Sequence, residues 1–109
     1  IKLLDSVFQK GLAAVMSDNG SLHNVVLVDA VRTPFGKAGS LYAGTRADDI
    51  MVRAIRGLLE RNPQVPLDQI DDVAIAAATQ SGDQGMNIGR SASLLAGLPN
   101  TVPGYSIDR

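Results

Sequence analysis

The sequence has no cysteine and no tryptophan, only two tyrosines and two phenylalanines, and a single histidine among 109 residues. The absence of cysteine excludes a disulfide, a thiolate zinc site and a thiol nucleophile within these residues. The lone histidine, His23, stands in a polar stretch ahead of the first apolar run, so neither a histidine-based metal cluster nor a Ser/His/Asp relay has its parts. No apolar run approaches the roughly 18 residues of a membrane-spanning helix. The formal net charge is -1 and no Lys/Arg block stands against it, so nucleic acid and acidic membrane surfaces are not expected partners. What remains is a chain with 45% hydrophobic residues, enough for a packed core. Its 19% charged residues and 11 glycines suit an intracellular α/β protein, and its length suits one small domain or part of a larger one.

Residues 1–24 read as an N-terminal extension. Leu3, Leu4, Val7, Phe8, Leu12, Val15 and Met16 recur at helical spacing, and Ser17 to Ser21 form a turn-rich linker. The domain is expected over residues 25–109. Residues 25–28 form a β-branched, fully apolar run, the pattern of a strand buried on both faces, which Pro34 brings to a stop. Thr45 and Asp48 resemble a capping box, and Ile50, Met51, Ala54, Ile55, Leu58 and Leu59 follow at helical spacing until Asn62-Pro63. Arg53, Arg56 and Arg61 on the other face are diluted by acidic neighbours and read as a solvated surface. Leu67 to Ile70 make one helical turn, and Asp71-Asp72 precede a second strand, residues 73–79. Asn87 caps a helix over residues 88–96, Gly97 and Pro99 end it, and a third strand opens at Gly104. The order βαβαβ, with a helix in each crossover, predicts a mostly parallel sheet with helices on both faces.

The loop from Gln80 to Arg90 is the most polar segment enclosed by apolar sequence. It follows a strand and opens a helix, the right setting for a phosphate cradle, but its glycines fall neither as G-x-G-x-x-G nor as a Walker loop. A nucleotide-binding α/β domain is therefore the weaker alternative. No catalytic, cofactor-binding or metal-binding residue can be assigned.

Several segments in register resemble the N-terminal segment of the thiolase family. These are Val25-Val26-Leu27-Val28-Asp29-Ala30-Val31-Arg32-Thr33-Pro34-Phe35-Gly36-Lys37, Ile70-Asp71-Asp72-Val73, Gln80 through Arg90, Leu95-Ala96-Gly97-Leu98-Pro99 and Val102-Pro103-Gly104. The resemblance implies the first part of the N-terminal half of a thiolase fold. The implied enzyme is an acyltransferase of fatty acid metabolism that cleaves 3-ketoacyl-CoA with CoA, or condenses two acyl-CoA molecules, through a cysteine acyl-enzyme. It implies coenzyme A thioesters as substrates with no further cofactor, a cytoplasmic homodimer or homotetramer, and the loop matching Gln80 to Arg90 and the strand matching Gly104 to Asp108 at or near the subunit contact. By that resemblance Gln84, Asn87 and Arg90 are the candidates for bracing an active site or a partner subunit; the plain alternative is a loop that satisfies its own backbone. It also implies that the nucleophilic cysteine lies about two residues beyond Arg109, so that residues 1–109 alone are inactive. A non-catalytic thiolase-like interaction module is the alternative within the same resemblance.

Overall fold

The computed structural model describes residues 25–108. The helix and linker expected before residue 25 lie outside the described residues. The chain divides into two compact units after Ala30; Val25 to Ala30 belong to the first, and all the regular structure described below to the second.

Helix α1, Ala47–Arg61, is the longest element. A 3₁₀ turn, Leu67–Gln69, leads to strand β1, Val73–Ala76. A second 3₁₀ turn, Gly82–Gln84, interrupts the glycine loop before helix α2, Ile88–Ala96, and strand β2, Gly104–Ile107. The two strands pair in parallel, with Val73 opposite Gly104 and Ala76 opposite Ile107. The Val73 N–H donates to Pro103 O below the ladder and the Ala77 N–H to Ile107 O above it. Asp72 Oδ1 also accepts the Val73 N–H at 2.8 Å, the local role that an acid ahead of a strand can take.

Three expectations change. Residues 25–28 form no strand; Val25 is 93% and Leu27 88% exposed. A β-branched run favours an extended backbone, but a strand exists only where a neighbour completes its ladder, and among the described residues β1 and β2 pair only with each other. The described elements are therefore two helices and two parallel strands rather than the full βαβαβ order. Secondly, both helices cover the same sheet face. Val73, Ile75 and Ala77, alternate residues of one face, share a core with Met51, Val52 and Ile55 of α1 and Ile88, Ala92 and Ala96 of α2. The opposite face, Ala74, Ala76, Tyr105 and Ile107, is exposed.

The third change is at the start of α1. Its N-cap is Arg46, not Thr45, and no side chain caps it. The Thr45 N–H already donates to Tyr42 O, so the reciprocal half of a capping box has no free donor. Asp48 turns instead to Arg46, accepting from Nε at 3.0 Å and from Nη2 at 2.9 Å.

Helix α2 ends as its sequence implies. Gly97 takes a left-handed backbone with φ 101°, its N–H donates to Leu94 O, and the Leu98 N–H reaches back to Ser93 O. This pair of bonds satisfies two carbonyls that the helix end would orphan, and Leu98 itself is buried.

Candidate functional site

The loop that joins β1 to α2 lies where groups of a parallel sheet usually meet ligands, beyond the carboxyl end of a strand. Its first half is tied to α1. Arg46, already paired with Asp48, places Nη1 3.2 Å from Asp83 Oδ1 in the 3₁₀ turn. The hydrogen bond to Asp48, followed by the charges of Asp48 and Asp83, raises the Arg46 guanidinium above its ordinary value. The hydrogen bond from Arg46 holds the Asp48 carboxyl below its own.

The second half of the loop is built around Asn87. Met86 and Asn87 both adopt positive φ, 53° and 59°, a region that asparagine tolerates better than most residues and methionine does not. The turn places the Asn87 side chain against both α2 and β2. Its Oδ1 accepts the Arg90 N–H at 3.2 Å, the standard N-cap bond. The same oxygen accepts from Ser106 Oγ at 3.3 Å, while Nδ2 donates to Gly104 O at 3.0 Å. Ser106 Oγ in turn accepts the Gly89 N–H at 3.2 Å.

This contact is so close because two glycines face each other. A Cβ on Gly104 would lie 2.7 Å from Gly89 O, and a Cβ on Gly89 would fall inside the contact radius of Tyr105 O. Only a residue without a side chain lets the helix backbone rest on the strand backbone at these points.

Arg90 completes the arrangement one turn into α2. Its Nη1 donates to Val102 O at 2.7 Å and its Nη2 to Asn100 O at 3.1 Å, so the guanidinium fork spans the segment that leads into β2. At the other end of the helix, Arg56 of α1 donates from Nη2 to Leu95 O at 2.6 Å. A cation there matches the partial negative charge of a helix C-terminus.

Of the three residues singled out by sequence, Asn87 and Arg90 are brought together in one network, joining α2 to β2 and to the segment before it. Gln84 stands apart: it is half-buried at the end of the 3₁₀ turn, where its backbone N–H donates to Ser81 O. Sequence reasoning missed Arg46 and Gly89, and it placed Gly104 and Ser106 only within a strand near a subunit contact, not against α2. A glycine inside an apolar helix is a recognisable sign of close approach and could have flagged Gly89. Nothing in the sequence distinguishes Ser106 from any other serine.

The chemistry open to this site is limited. The N–H groups of Gly89 and Arg90, which a phosphate would need at the start of α2, are already bonded to Ser106 and Asn87, so the nucleotide-binding alternative loses its anion cradle. Among the described residues no three His, Cys, Asp or Glu side chains gather to hold a metal ion, and no helix is long and apolar enough to cross a membrane.

The family model described as "Thiolase, N-terminal domain" matches residues 25–109. A beta-ketoadipyl-CoA thiolase of Pseudomonas knackmussii is 47% identical over 85 residues, covering 78% of this chain and 21% of its own length. A beta-ketoadipyl-CoA thiolase of Pseudomonas putida is 43% identical over 88 residues, covering 81% of this chain and 22% of its own length. A 3-ketoacyl-CoA thiolase of Aliivibrio salmonicida is 44% identical over 89 residues, covering 81% and 23%. The chain thus spans about a fifth of the length of the curated relatives it matches. The Asn87 and Arg90 network, the paired glycines and the two parallel strands all fall within the matched residues, and the chain belongs to the thiolase family, in its N-terminal domain.

Proposed function

We propose that this chain is a structural segment of a thiolase acyltransferase, which cleaves 3-ketoacyl-CoA with CoA or, in reverse, condenses two acyl-CoA molecules through a cysteine acyl-enzyme. The observation that carries the reading is the family match over residues 25–109, joined to 47% identity with a relative named for thiolysis of beta-ketoadipyl-CoA. These residues contain no cysteine, so their part is to frame the site, not to attack the substrate. Asn87 and Arg90 serve that frame by fixing the segment 100–106 against α2.

The same reading makes coenzyme A thioesters the substrates, with no additional cofactor, and the working protein a cytoplasmic homodimer or homotetramer. Met86 supports a contact with a second subunit at the glycine loop: it is 99% exposed on left-handed backbone, an unfavourable place for an apolar side chain unless another surface meets it.

The test is a thiolysis assay on the full protein with acetoacetyl-CoA and 3-ketoadipyl-CoA, following CoA-dependent formation of acetyl-CoA. Product from either substrate is expected, and none from the polypeptide 1–109 alone. A full protein that leaves both thioesters untouched would remove the acyltransferase reading and leave the non-catalytic alternative.

A further inference from the structure

We propose that Ser106 is a positioning residue for acyl transfer: with Asn87 it forms a two-point clamp that fixes how strand β2 leaves the sheet. The proposal rests on the acyltransferase reading above. Its starting point is geometric. The Asn87 amide touches β2 twice, at Gly104 O and at the Ser106 hydroxyl, two residues apart on one face. The same hydroxyl is bonded to the backbone N–H of Gly89 in α2. The Asn87 amide, the Ser106 hydroxyl and the strand backbone between Gly104 and Ser106 therefore close a compact ring, to which the Gly89 N–H is bonded.

Such a ring does what the surrounding core cannot. Apolar contacts are non-directional and tolerate a small slide of one element past another. Two hydrogen bonds two residues apart do not, because a slip by one residue would turn the Tyr105 and Ile107 side chains toward the helix. The facing glycines remove the side chains that would otherwise hold β2 and α2 apart and in place, so the polar ring takes over the setting of their distance.

The clamp acts on the carboxyl end of β2, and in parallel sheets reacting groups gather beyond the carboxyl ends of strands. A reacting group carried on the chain that follows would inherit its position from the Ser106 anchor. Displacing a reacting atom by about 1 Å can cost about 100-fold in rate, whereas substrate affinity depends on contacts made elsewhere.

The test compares Ser106→Ala and Ser106→Thr with the unaltered full protein, measuring thiolysis kcat and KM together with the thermal midpoint. Exposed Arg53, replaced by Ala, is the control. The alanine variant is expected to lose about 10- to 100-fold in kcat, with KM within about two-fold and a midpoint within a few degrees of the unaltered protein. The threonine variant, which keeps the hydroxyl, is expected to recover most of the rate. If the alanine variant keeps its kcat, or if it loses kcat only in step with its thermal midpoint and threonine does not restore it, the clamp is merely structural and the proposal is overturned. An unaltered protein without thiolysis would instead overturn the acyltransferase reading and, with it, the positioning role.

Discussion

Arg90 shows most directly how one side chain can hold a segment that has no regular structure. Its two terminal nitrogens bond Val102 O and Asn100 O, carbonyls of residues that lie outside any helix or strand. Hydrogen bonds from a charged donor contribute about 1.5–3 kcal/mol each, discounted here because Arg90 is only half-buried. Replacing it with alanine is expected to destabilise the full protein by about 2 kcal/mol in urea unfolding. Lysine is expected to rescue little of that, because an ammonium lacks the planar fork that reaches two carbonyls at once. Equal stability of the lysine variant and the unaltered protein would show that charge alone, not the fork, secures residues 100–102. Asn87 presents a different economy of atoms. Its side chain makes three hydrogen bonds, and its backbone supplies the left-handed turn that aims them; no other residue type offers both an acceptor and a donor at that reach with tolerance of positive φ.

At the scale of elements, the N-terminus of α1 depends on charge. Arg46 bonds Asp48 within the helix start and Asp83 across in the glycine loop. Asp48 titrates below its ordinary value of 3.8 because Arg46 stabilises its charged form. The folded state therefore binds this proton less readily than the unfolded chain. The stabilisation is fully present above the unfolded value and is lost as pH falls through the lower folded one. Acidification from about pH 5 to about pH 3 is expected to lower the thermal midpoint of the full protein, and Asp48→Asn is expected to flatten that dependence. A midpoint that falls equally in both proteins would remove Asp48 from the acid response. The elements themselves were largely legible. The helical spacing after Thr45, the Asn87 cap, the Gly97 stop and the start of β2 at Gly104 are local patterns, and local patterns are what sequence displays. The cap at Thr45 failed because the Thr45 N–H was already committed to Tyr42 O, a fact set by the preceding turn. The strand over residues 25–28 failed because pairing needs a neighbour that composition cannot reveal. Asn87 and Arg90 became candidates through the resemblance of their loop to one at a subunit contact, not through any pattern of their own. Arg46, Gly89 and Ser106 act through residues far along the chain, and only the fold brings those partners into reach.

For the whole molecule, the main consequence lies in the uncovered side of the sheet. Both helices bury the face of Val73 and Ile75, while Tyr105 and Ile107 remain 44% and 38% exposed on the other. Leu94 and Leu95 on α2 are exposed as well. A two-stranded sheet covered on one side is at the margin of independent stability, and an uncovered apolar face invites association. The isolated polypeptide 1–109 is therefore expected to unfold without a sharp transition, to give a weak near-ultraviolet signal and to bind a hydrophobic dye. A soluble monomer with cooperative melting and a full near-ultraviolet spectrum would contradict this. The relatives are about five times longer than the matched segment, and a longer chain has material to cover that face.

The ring around Asn87 also bears on the order in which the molecule assembles. Its bonds from Asn87 to Gly104 and Ser106 join residues only 17 and 19 positions apart, whereas the β1–β2 ladder must bring Val73 to Gly104 across the whole intervening helix. Shorter loops close at lower entropic cost and tend to form earlier. The corner of α2 and β2 can thus organise before the sheet does and present β2 in register for β1 to join. Since synthesis proceeds from the N-terminus, residues 73–76 would stay without a ladder partner until the segment that forms β2 had left the ribosome.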